Sequence, residues 1–116
     1  MYNAEKIIRE KKIENIITTG SPFEILYFGS ILKKKFPRIK LITDYRDFWF
    51  GGLVYNNLNF FGKLFYLRKE KKVIKKSDII LAVNSRIINR IKKIYNTTSK
   101  TKLLEHGFDL EDFEFE

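Results

Sequence analysis

The sequence predicts an α/β domain in which a parallel sheet of about four strands carries helices on its faces. Three observations predict it. Short β-branched or apolar runs alternate with longer segments of helical character. The longer segments place apolar residues at helical spacing and lysines between them. Asp78-Ile79-Ile80-Leu81-Ala82-Val83 is apolar without alternation, as expected of a strand covered on both faces. Alternation of strand and helix favours parallel pairing with crossover helices.

Each element follows from its residues. Residues 4–12 are polar and helix-forming, with Ile7 and Ile8 as the apolar contacts. Ile13 to Thr19 reads as a strand that stops at Gly20. Ser21-Pro22-Phe23-Glu24 is a helix start, with Ser21 as cap, Pro22 in the first position and Glu24 completing a capping box. The helix after it places Ile25, Phe28, Leu32 and Phe36 on one side and closes on Lys33-Lys34-Lys35 and Pro37. Lys40 to Asp44 is a second strand, and Tyr45 to Asn59 a long loop. Phe60 to Lys76 is a helix with Leu64, Leu67 and Ile74 buried and Lys71, Lys72, Lys75 and Lys76 in water. After the strand at 78–83, Asn84-Ser85 begin a helix with Ile87, Ile88, Ile91, Ile94 and Tyr95 on one side. Residues 96–99 form a turn, and Lys102 to Leu104 a last short strand.

Composition bounds the function. The 116 residues suffice for one domain, and 44% hydrophobic with 32% charged residues supports a packed core. The absence of cysteine excludes disulfides, cysteine zinc sites and thiol catalysis. His106 is the only histidine, which leaves little from which to build a His-rich metal site or a hydrolytic triad. The net charge of +9 suits polyanions. Most lysines nevertheless read as solvated helix faces, and their spread over several helices argues against nucleic acid. The basic helix at 60–76 could touch anionic lipid, although a solvated face is the preferred reading. No apolar run is long enough to cross a bilayer and the N-terminus lacks a signal-peptide pattern, so the expected location is the cytoplasm, free or peripheral to the membrane.

In open parallel sheets, ligands bind beyond the carboxyl ends of the strands. Here those ends are Thr18 to Ser21, Asp44 to Asp47, Asn84-Ser85 and Glu105 to Gly107. The turn at Thr18 to Ser21 could hold an anion or simply connect strand to helix. Asp44-Tyr45-Arg46-Asp47-Phe48-Trp49 is the sharpest cluster. Arginine forks onto phosphate or carboxylate, an aspartate orients a hydroxyl or acts as base, and aromatics suit the apolar faces of sugars. The competing reading is an internal Arg–Asp pair that pins the loop; the functional one is preferred. His106 is read as structural.

Four segments, in order, resemble one family. They are Ile16-Ile17-Thr18-Thr19-Gly20-Ser21-Pro22; Ile42-Thr43-Asp44-Tyr45-Arg46-Asp47-Phe48-Trp49; Glu70 with Lys75 to Ser85; and Lys102 to Phe113. Together they are similar to the N-terminal, acceptor-side domain of group 1, family 4-like glycosyltransferases, enzymes of two facing Rossmann-like domains (the GT-B architecture). The resemblance covers about Ile13 to Phe113. His106 stands where the family usually has Asn, and Phe48 where a subgroup acting in cell-surface polysaccharide synthesis usually has Pro.

The resemblance implies transfer of a sugar from a nucleotide-sugar donor to a hydroxyl on a sugar or lipid-linked acceptor, with retention, no metal and no cofactor. It implies that Arg46 and Asp47 contact the acceptor or the reacting sugar. Gly20, Ser21, Asp44 and Trp49 would bind substrate, Gly107 and Asp109 would shape the domain-closing turn, and Glu70 would support the fold. It also implies a partial Rossmann-like domain spanning residues 1–116. The family's first strands and donor-binding C-terminal domain would lie outside it, so this piece alone would be inactive. A sheet edge left open in this way is expected to promote self-association.

Overall fold

The computed structural model describes residues 2–97 and 100–107. Its elements are α1 (Tyr2–Glu10), β1 (Asn15–Gly20), α2 (Glu24–Lys35), β2 (Lys40–Tyr45), α3 (Leu53–Asn56), α4 (Phe60–Lys76), β3 (Ile79–Ala82), α5 (Ser85–Tyr95) and β4 (Thr101–Leu103). The four strands form one parallel sheet in the order β1-β2-β3-β4. This is a Rossmann-like α/β arrangement. Part of the predicted turn at 96–99 lies outside the described residues, as does Asp109.

A strand order that never reverses, joined by right-handed crossovers, puts every crossover helix on the same face. The core agrees. One buried cluster joins Leu26 of α2, Val73 and Ile74 of α4, and Ile87, Ile88 and Ile91 of α5 to Tyr45, Ile80 and Ala82 of the sheet. A smaller cluster of Ile8, Leu32 and Ile39 seats α1 against the end of α2. Strand residues of the other parity face away from these helices. In register they form the rows Ile17–Ile42–Ile79 and Thr19–Asp44–Leu81–Lys102. Ile17 is 64% exposed, while Ile42, Ile79 and Leu81 are half-buried. The expectation that β3 is covered on both faces is therefore corrected: Ile80 and Ala82 are buried, and Ile79 and Leu81 look out on the open face.

Three further expectations are corrected. Ser21 does not cap α2; the cap position is Phe23, without a side-chain bond, because β1 continues through Gly20 and the Ser21-Pro22 turn precedes the helix. Glu24 instead accepts from the Tyr66 hydroxyl at 3.3 Å. The buried stripe of α2 is Leu26, Gly29, Ser30 and Leu32, which leaves Ile25 and Phe28 exposed. Gly29 sets that rotation, since a Cβ there would come within 2.7 Å of Thr18 and 3.0 Å of Leu41 on the sheet. On α1 only Ile8 is buried, and Ile7 is exposed.

The remaining elements match their local chemistry. Asn59 caps α4 by accepting from Gly62 N–H at 2.8 Å, and Asn84 caps α5 by accepting from Ile87 N–H at 3.0 Å. On α4, Ile74 is buried as expected, Leu64 and Leu67 are only half-buried, and Glu70 and Val73 complete the inner face. Asp78 ties the start of β3 to its surroundings: it accepts from Leu41 N–H at 2.7 Å and pairs with Lys33 at 2.8 Å.

Candidate functional site

Strand parity builds the site. Asp44 belongs to the open-face side of β2, and Arg46, two residues on, has the same parity. Arg46 Nε donates to Asp44 Oδ2 at 2.7 Å. Asp44 is buried, whereas the Arg46 side chain keeps 42% of its surface open. The other end of the guanidinium reaches the segment after β4, where Nη1 lies 2.7 Å from the ring nitrogens of His106. Arg46 thus bridges the carboxyl end of β2 to the chain beyond β4. Asp47 is exposed beside it, with Oδ1 accepting from Phe48 N–H at 2.7 Å.

The other expected site residues are distributed differently. Ser21 is exposed at the end of β1. Gly20 is buried, and a Cβ there would meet Leu26 and Phe23 at 3.1 to 3.2 Å, so its visible role is to let α2 approach the sheet. Trp49 lies inside the fold. It is 3% exposed and stacks on Phe23 with ring centroids 5.3 Å apart, its edge against Tyr66. Both rings bury a large apolar area here, and the Trp49 face is not open to a sugar.

Beneath the 46–52 loop lies a buried polar cluster. Glu70 of α4 accepts from the Tyr95 hydroxyl of α5 at 2.7 Å and from Phe50 N–H, with the Arg90 charge nearby. Burial pushes the Glu70 carboxyl up to about 7, against the opposing pull of Tyr95, Arg90 and Phe50. Burial and the nearby Glu70 raise Tyr45 and Tyr95 above the usual phenol range. Arg90 lies over the rings of Phe48 and Phe50, at 5.4 and 5.2 Å. Gly51, with φ +81°, passes so close to this guanidinium that a Cβ would stand 2.0 Å from Nη2. The loop is therefore pinned from below by Trp49, Glu70 and Arg90, while the Asp44–Arg46 pair stands at its mouth.

Sequence reasoning placed Arg46, Asp44 and Asp47 together, as the structure does. It gave His106 a structural role and did not foresee its contact with Arg46. The signal was its position just past the last strand. Arg90 carried no signal, and Tyr95 read only as part of the apolar side of its helix, because their importance comes from packing around Glu70. Among the described residues, no group of three His, Cys, Asp or Glu side chains is placed to hold a metal ion.

The fold and these strand ends define the chain as a Rossmann-like α/β protein with its polar side chains gathered at the carboxyl edge of a parallel sheet. No family model, curated protein or solved structure matches it.

Proposed function

We propose that this chain is part of the acceptor-side wall of a nucleotide-sugar glycosyltransferase of GT-B architecture, acting in cell-surface polysaccharide or glycoconjugate synthesis. The observation that carries the reading is Arg46, a half-open guanidinium oriented by buried Asp44 and by His106 at the end of a parallel sheet. A guanidinium fixed on one side keeps donors for an anionic or hydroxyl-rich ligand on the other. Asp47 beside it supplies an exposed carboxylate that can accept a hydrogen bond from an acceptor hydroxyl and orient it for attack. The donor's nucleotide would be held mainly by a facing domain, so the isolated chain is expected to be inactive. Among the described residues, a sheet face without a covering helix and a β1 strand at the sheet edge support the further expectation that it associates with its own copies.

The test begins with the natural open reading frame, read from the DNA on both sides of the coding segment. Its product is then assayed for transfer from a panel of nucleotide sugars to lipid-linked acceptors. Arg46→Lys keeps the charge beside Asp44 and removes the fork, and it is expected to lower kcat/KM by at least about tenfold. A reading frame confined to residues 1–116, with no transfer by its product, would overturn the proposal.

A further inference from the structure

The outer face of α4 was not absorbed by the site. Its inner face is Glu70, Val73 and Ile74. Diametrically opposite, at the 4-3-4-3 spacing of one helix stripe, run Phe61, Phe65, Arg68, Lys72 and Lys75, all exposed. The stripe is about 21 Å long at 1.5 Å per residue. It is aromatic at its amino end and cationic at its carboxyl end. Phe60 and Phe61, at 73% and 78% exposure, pack edge-on against one another in the open. α4 carries seven Lys and Arg residues, and its one acidic residue, Glu70, is buried on the far side. Neighbouring α2 adds exposed Phe28 and Lys34, and a shallow groove between the two helices is lined by Tyr27, Ile31, Lys34, Lys72, Lys75 and Lys76.

Exposed phenylalanines grouped at one end of a basic helix match a particular partner. A bilayer interface accepts aromatic side chains at the headgroup–acyl boundary and, when anionic, draws Lys and Arg to its surface. Nucleic acid would instead favour aromatics interleaved with the bases along a strand-tracking groove. We propose that the α2–α4 face docks on an anionic lipid surface, with Phe60, Phe61 and Phe65 entering the interface and Arg68, Lys72 and Lys75 pairing with acidic headgroups. This does not depend on the glycosyltransferase reading. The docking face lies on the helix side of the sheet and the Arg46 site belongs to the open side, so both can be engaged at once.

The test is co-sedimentation of the full chain with phosphatidylcholine vesicles, with and without phosphatidylserine. Binding is expected only to the phosphatidylserine vesicles and should weaken as salt is raised. Phe60→Ser with Phe61→Ser, and separately Lys72→Glu with Lys75→Glu, should each weaken it by at least about tenfold. All four positions are exposed, and far-UV circular dichroism checks that the fold survives. Equal binding to both vesicle types, or no binding to either, would overturn the proposal. So would displacement by single-stranded DNA combined with indifference to the phenylalanine changes, which would identify a general polyanion site.

Discussion

Asp44 of β2 and Arg46, just past the strand's end and two residues on, are joined by a 2.7 Å bond from Nε to Oδ2. The pair is asymmetric, for Asp44 is buried and Arg46 is not. Removing the arginine therefore strands a buried carboxylate, whereas removing both leaves no such charge. Arg46→Ala leaves the buried Asp44 acceptor without its donor and should destabilise by about 1–3 kcal/mol. The double variant Asp44→Ala/Arg46→Ala should be the more stable of the two in urea unfolding. Additive losses would mean that the pair does not interact in solution.

Glu70 makes stability depend on pH near neutrality. Its carboxyl is raised from 4.5 to about 7 in the folded chain, so the folded state holds its proton more tightly than the unfolded state. The contribution is fully present below about 4.5 and is lost as pH rises through 7. It amounts to roughly 3 kcal/mol. Urea midpoints taken from pH 5 to pH 8 should fall for the native chain. Glu70→Gln can still accept from Tyr95 and should flatten that slope.

Trp49 is the sole tryptophan, so its fluorescence reports on the loop alone. Packed on Phe23 and Tyr66, it should emit in the blue, resist quenching by acrylamide and shift to the red on unfolding. Trp49→Ala should cost about 3–5 kcal/mol. Ready quenching in the native state would contradict its burial.

Among the described residues β1 is an edge strand without lysine, arginine or proline, and Ile17 stands exposed on the face away from the helices. Such an edge lacks the usual protection against pairing with another chain. Light scattering is expected to find self-association that grows with concentration. Ile17→Lys should shift the population towards monomer without loss of helical signal. A native chain that stays monomeric at high concentration would remove this expectation.

Much of this protein was legible in its sequence because the signals are local. The order of strands and long helices, the helix start at Asn84, and the closeness of Asp44, Arg46 and Asp47 follow from propensity, cap chemistry and a two-residue period, whereas the short α3 (Leu53–Asn56) falls in a segment that reads as loop. The tertiary structure alone decided which residues meet across the chain. It turned α2 so that Gly29, not Phe28, meets the sheet. It buried Trp49 against Phe23, and it carried His106 across sixty positions to Arg46. Among the described residues it also left one sheet face without a covering helix, because an apolar run such as Ile79 to Ala82 states a preference for cover but not whether cover is present. Periodicity specifies what an element can bury; only the packing of the other elements decides what it does bury.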